Sequence, residues 1–264
     1  MQNYFVGLVV WVTISSCTGF VTTTNQLIGS GPFPFDYLLG EYSNFTSTAD
    51  VLFVDHDIPE RSIRQIISYG KTVICYVNVG AWEDWRDDAD DFPETVLGND
   101  YDGWPGERWL DVRNLKVVLP IMLRRFQDAA AKGCQGIDPD NMNGWSVDTG
   151  FPISFNDQLI YNRAISREIR RLGMLSGLKN DNEQAIALEP YSDFAVVEEC
   201  VQYRECDGFD IFVEKNKPVF VVEYTEYWTE NNFKNRVCPL VEDTGMAFIL
   251  KELELHNDFI VSCM

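Results

Sequence analysis

The chain has 264 residues, 45% of them hydrophobic, enough to bury a large core as one barrel or two smaller domains. Its 41 Asp and Glu against 21 Lys and Arg give a formal charge of −20, which repels nucleic-acid phosphates and anionic membranes and attracts polycations. No internal repeat, low-complexity tract or Pro/Ser/Gly-rich linker divides the sequence, so it reads as one domain without nucleic-acid partners.

At the N-terminus, Tyr4 to Ile14 is an almost unbroken apolar stretch followed by Ser15, Ser16 and Cys17. That length suits the h-region of a signal peptide better than a membrane span. The first Lys or Arg is Arg61, so only the α-amino group supplies charge ahead of it. Cleavage near Cys17 to Gly19 is expected, which makes residues 1–19 a signal peptide, residues 20–264 the mature domain, and the protein secreted. An uncleaved N-terminal anchor and a lipid-bearing Cys17 are the alternatives. The mature chain keeps Cys75, Cys134, Cys200, Cys206, Cys238 and Cys263, an even set that fits an oxidising compartment. Cys200 and Cys206 are the closest pair and the disulfide candidate, whereas Cys75, inside an apolar run, fits a buried thiol equally well. Asn44-Phe45-Thr46 is an N-glycosylation sequon.

Short β-branched or aromatic runs then alternate with longer segments of helical period, the pattern of successive βα units and a parallel sheet. Eight candidate strands fall at 35–39, 51–57, 72–80, 136–141, 175–180, 194–200, 218–224 and 246–251, giving an α/β class and a single barrel. Between the third and fourth runs, Ala81 to Asn114 is too long for an ordinary βα loop and carries Trp82, Trp85, Trp104 and Trp109. Long loops at the C-terminal face of a barrel build binding sites, and indole faces stack on the C–H bonds of pyranoses. Trp82 and Trp104 are therefore substrate-binding candidates, although such rings also pack a loop onto its scaffold. After the fourth run, Tyr161, Ile165, Ile169 and Leu172 form one apolar helical stripe, with Ser154 and Asp157 as a capping box and Gly173 as terminator.

Two of the runs stop abruptly at acids: Gly136-Ile137-Asp138-Pro139-Asp140-Asn141 and Phe194-Ala195-Val196-Val197-Glu198-Glu199-Cys200. A parallel barrel delivers catalytic groups to its mouth from such strand ends. Two carboxylates facing one cleft suit glycosidic hydrolysis, one protonating the leaving oxygen while the other attacks the anomeric carbon or activates water. Asp140 and Glu198 are the candidate catalytic pair, while a single acidic strand end taken alone also fits a helix cap or a solvated loop. Asp55, Tyr76, Asn78, Asp138, Lys179, Asn180, Glu223 and Tyr224 stand at corresponding positions as candidates for binding sugar hydroxyls or an amino substituent. Only two histidines, His56 and His256, and no HExxH or paired CxxC argue against a metal. No GxGxxG, GxxxxGK[ST] or GxSxG is present, so no cofactor and no serine nucleophile are expected.

The chain resembles glycoside hydrolase family 114, the endo-α-1,4-polygalactosaminidases, from about Asp50 to Tyr224. The likeness is carried in order by Val73 to Arg86, Gly103 to Arg113, Lys132 to Asn141, Asp157 to Arg163, Gly177 to Asp181, and Glu198-Glu199-Cys200 before Tyr203-Arg204-Glu205-Cys206. The resemblance implies a (β/α)8 TIM barrel with a long Trp-rich loop after the third strand, cleaving partly deacetylated α-1,4-linked galactosamine polymers. It places the catalytic carboxylates at Asp140 and Glu198 and cleft-lining positions at Asp55, Tyr76, Lys179, Asn180 and Tyr224. The family usually reads Asn-Glu-Gln-Cys at the second acid, whereas Val197 and Glu199 flank Glu198 here. This departure implies one amide donor lost to the sugar and one carboxylate gained.

The leading expectation is a secreted endo-glycosidase whose partner is a cationic galactosamine polysaccharide, with Asp140 as nucleophile and Glu198 as acid/base. Two rivals stand beside it: a catalytically silent polysaccharide-binding protein and a glycosidase acting on another α-linked sugar.

Overall fold

A computed structural model describes residues 31–40, 47–256 and 259–264. The expected signal peptide and the Asn44 sequon lie outside those residues. Each of the eight predicted runs holds a strand: β1 (Phe35–Leu38), β2 (Val51–Asp55), β3 (Thr72–Asn78), β7 (Gly136–Asp140), β8 (Leu175–Lys179), β9 (Phe194–Glu198), β10 (Val219–Tyr224) and β11 (Ala247–Lys251). They lie side by side in that order in one curled sheet, parallel throughout, and the short β12 (Val261–Ser262) adds an antiparallel ninth strand beside β11. Among the described residues β1 and β11 share no hydrogen-bonded ladder. The buried ammonium of Lys251 on β11 bridges that seam instead, 3.0 Å from an Asp36 carboxylate oxygen on β1.

The insertion after β3 is itself folded. Its strands β4 (Ala81–Glu83), β5 (Leu97–Asp100) and β6 (Glu107–Leu110) make a small antiparallel sheet in the order β4-β6-β5, so the expected loop is in part a second sheet. Helices α1 (Glu60–Ser68), α2 (Leu115–Lys132) and α3 (Phe155–Arg171) pack outside the main sheet, followed by the short helices α4 (Ala185–Leu188) and α5 (Cys200–Tyr203) after β8 and β9. In α3 the capping box is formed, with the Asp157 amide bonded to Ser154 and the Ser154 amide to Asp157, and Tyr161, Ile165 and Ile169 are fully buried. Among the described residues no helix is long and apolar enough to cross a membrane.

Strand parity divides the core in two. Side chains alternate faces along a strand, so Cys75, Val77, Val197, Val219 and Val221 join the helices in an outer cluster. Their neighbours Phe35, Phe53, Ile74, Phe194, Val196, Phe220 and Val222 fill the interior. Four inner phenylalanines meet edge to face, with ring centroids 5.0 Å apart for Phe35 and Phe220 and 5.2 Å for Phe53 and Phe220. Gly177 on β8 leaves room for them, since a Cβ there would lie 2.7 Å from the Phe194 ring. Outside the sheet, Cys75 is bonded to Cys134 at the end of α2, Cys200 to Cys206, and Cys238 to Cys263. The open question about Cys75 is thereby settled in favour of a disulfide.

Candidate active site

Above the phenylalanine layer, the same inward parity that buries Ile74, Leu175, Val196 and Val222 brings Tyr76, Lys179, Glu198 and Tyr224 to the strand ends, where Asp140 closes β7. Directly after Asp140, Lys179 and Glu198 the backbone turns left-handed, at Asn141 (φ 61°), Asn180 (φ 48°) and Glu199 (φ 58°). Asn tolerates that region and Glu does so at a cost. Each strand is thus ended by a sharp turn that leaves its last inward side chain at the rim. Gly80, just past β3, lets the neighbouring strand end approach, because a Cβ there would lie 1.8 Å from the Asn141 carbonyl oxygen.

These side chains converge on one ammonium. Lys179 Nζ lies 3.2 Å from Asp140 Oδ1, 3.2 Å from Glu198 Oε2 and 3.9 Å from Asp138 Oδ2. Tyr76 donates to the other oxygen of Asp140 at 2.9 Å, Tyr224 donates to Glu198 Oε1, and the Asn180 amide donates to Glu198 Oε2 at 3.2 Å. Burial alone would lower the pKa of Lys179, but Asp140, Glu198 and Asp138 outweigh it and push the ammonium well above its ordinary range. Burial is also what raises Asp138, to about 6, against the pull of Lys179. The cation is therefore held charged between the two strand-end acids, and both acids keep their oxygens oriented by donors from different strands.

The convergence opens into a cleft of about 640 Å³ lined by Asp140, Glu198, Lys179, Asn180, Tyr76 and Tyr224. Asp55 and Trp104 line it too, although Asp55 is engaged by Arg86 through two bonds of 2.8 Å. Four expected ligand-binding residues are not on its wall. Trp82 alternates with the inward Ala81 and Glu83 on β4, so its ring packs against the outer core and its indole bonds the Ala89 carbonyl at 3.0 Å. Glu223 has the outward parity on β10 and accepts from the Val201 amide of α5 and the Trp228 indole. Asp138 lies one layer beneath the cleft, fully buried under the Tyr37 hydroxyl at 2.6 Å. Asn78, also fully buried, bonds Glu107, Asn141 and the Ala81 amide.

Val197 belongs to the outer core, so an amide at that position would face the helices rather than a sugar. The expected loss of a sugar donor is corrected by strand parity, and the amide that does reach Glu198 comes from Asn180. Sequence reasoning missed Tyr37, Tyr101, Trp85, Glu107, Asp181 and Glu199, all of which line the cleft. Tyr37 sits on the inward parity of a predicted strand and was legible there. Glu107 begins β6 of the small sheet and Tyr101 follows β5 directly, and no sequence period marks the pairing of these strands. For a metal, the donor atoms of Asp55, His56 and Asp57 lie within 4.8 Å of one another. The Arg86 guanidinium bonds both carboxylates, however, and already supplies the positive charge there.

The family model for glycoside-hydrolase family GH114 matches residues 22–264. Among solved structures, Ega3 of Aspergillus fumigatus in complex with galactosamine is similar at 31% identity and a TM-score of 0.85, over 93% of this chain and 100% of that one. The glycoside hydrolase domain of PelA from Pseudomonas aeruginosa shares the fold at 13% identity and a TM-score of 0.68, over 88% of this chain and 99% of that one. No curated protein sequence matches the chain.

Proposed function

The chain belongs to glycoside-hydrolase family GH114, and from that premise we propose that it is a secreted endo-glycosidase whose (β/α)8 barrel cleaves partly deacetylated α-1,4-linked galactosamine polymers with Asp140 and Glu198. The observation that carries the reading is the shared ammonium: two acids from separate strands meet at Lys179 beside one open cleft. The galactosamine bound to Ega3 supports the sugar class, and the wealth of carboxylates suits amine-bearing units.

Because Asp140 Oδ1 and Glu198 Oε2 are each 3.2 Å from one nitrogen, they can be no further apart than twice that distance. This bounds one pair of oxygens and leaves the retaining separation of about 5 to 5.5 Å between carboxyl groups within reach, so a retaining reaction is the scheme we propose. In this scheme Asp140 attacks the anomeric carbon while Glu198 gives its proton to the departing glycosidic oxygen. Glu198 then takes a proton from water, which displaces Asp140 and returns the carboxylate. Incubation with partly deacetylated galactosaminogalactan should release a series of oligomers identified by mass. Polymer binding without new reducing ends would instead establish the silent binding protein, and release from a different α-linked polymer alone would establish the rival substrate.

A further inference from the structure

The cleft carboxylates either have partners or, like Glu183, Glu199 and Glu254, stand at least partly in solvent. Asp55 and Glu83 are bonded by Arg86, and Asp140 and Glu198 by Lys179. Asp181 accepts the Trp145 indole on one oxygen and the Asn162 amide on the other. Glu107 differs. It is only 8% exposed, lines the cleft, and among the described residues forms no ion pair; its one side-chain donor is the Asn78 amide, 3.0 Å from Oε2. A carboxylate withdrawn from water without a cation is costly unless a ligand supplies one.

We propose that Glu107 is a specificity-determining residue of the cleft, its carboxylate receiving the ammonium of a deacetylated galactosamine unit seated beside Asp140 and so favouring amine-bearing over N-acetylated units there. The inference rests on the galactosamine-polymer reading and adds the group that reads the 2-substituent. The pairing of β4 with β6 sets Glu107 opposite Glu83, and β3 carries Asn78 opposite Asp140 in the neighbouring strand β7. The groups that face Glu107 are thus Glu83 and Arg86 from the insertion, Tyr101 ahead of β6, Asn78 from β3 and Asp140 from β7. Burial first, then the charges of Glu83 and Asp140, raise the Glu107 carboxyl to about 7, while Asn78 and Arg86 pull it down. An arriving ammonium reverses this balance. An acetamide carries no charge and leaves the acid unpaired.

The test compares wild type, Glu107→Gln and Glu107→Asp for binding of galactosamine and N-acetylgalactosamine by NMR titration, and for hydrolysis of a fully deacetylated oligomer. Glu107→Gln keeps the shape and the Asn78 bond. It should weaken galactosamine about tenfold to a hundredfold, leave N-acetylgalactosamine nearly unchanged, and raise KM with little effect on kcat. Glu107→Asp should fall between. In wild type, galactosamine binding should tighten from about pH 5.5 to about pH 7 as Glu107 ionises, then weaken above about pH 7.7 as the sugar amine, like an α-amino group, loses its proton; Glu107→Gln should flatten the rising limb.

Stability gives a second readout. The folded chain holds the Glu107 proton more tightly than the unfolded chain, so this contribution is full below the ordinary glutamate pKa and is lost as pH rises through about 7. Glu107→Gln should therefore melt higher than wild type above pH 7 and lose the advantage in acid. Equal galactosamine affinity in wild type and Glu107→Gln overturns the inference, even where wild type still cleaves the polymer. A wild type that neither binds galactosamine nor cleaves its polymer overturns both the inference and the substrate reading.

Discussion

The lower and upper halves of the curled sheet's inner face are built from the same strands on the same parity, yet they differ completely in chemistry. Below, Phe35, Phe53, Phe194 and Phe220 interlock edge to face and contribute through burial and dispersion. Above, Asp138, Asp140 and Glu198 share the single cation Lys179, so three acids crowd one ammonium. A stability-driven design would replace such an ionic layer with apolar side chains. Lying over an aromatic floor and open to a cleft, this ionic layer is where the proposed hydrolysis would take place.

Substitutions in each half should separate the two roles. The largest expected effect is Lys179→Met, which leaves three acids without their cation. Hydrolysis should fall by about a hundredfold or more, and removing one partner of a buried ionic cluster should cost about 3 kcal/mol in urea unfolding. Full activity in this variant would break the link between the ammonium and the chemistry. In the floor, Phe220→Ala should cost about 3 to 5 kcal/mol through the cavity it leaves, while turnover per folded molecule stays near wild type. Loss of kcat in a folded Phe220→Ala protein would show that the two halves are not separable. The smallest effect concerns approach rather than either layer. With a formal charge of −20, raising salt from about 0.01 M to about 1 M shortens the screening length from roughly 30 Å to 3 Å, and KM for a polycationic substrate should rise. A KM indifferent to salt would remove electrostatic steering from the account.

Much of the upper layer was legible because strand ends announce themselves: apolar runs that stop at Asp140 and Glu198 gave both acids, and Lys179, Tyr76 and Tyr224 end neighbouring runs. Where reading residue type replaced reading parity, the assignment failed. Glu223 is acidic and strand-terminal, but its parity faces the helices, where it holds the first turn of α5. Trp82 is aromatic and lies in the insertion, but the pairing of β4 with β6 turns it into the outer core. Depth was equally hidden, since Asp138 has the inward parity yet lies one layer below the cleft. Glu107 was beyond sequence reading altogether: it reaches the cleft only because a three-stranded sheet folds over the end of β3, and nothing in the pattern of Ala81 to Asn114 specifies that pairing.

The most direct test of the account is a matched assay of wild type, Asp140→Asn and Glu198→Gln on partly deacetylated galactosamine polymer, with near-UV circular dichroism confirming that all three are folded. Removing either carboxyl should lower oligomer release by about a hundredfold to ten-thousandfold with the spectrum unchanged. Turnover close to wild type in either folded variant would contradict the claim that these two acids, joined through Lys179, carry the reaction.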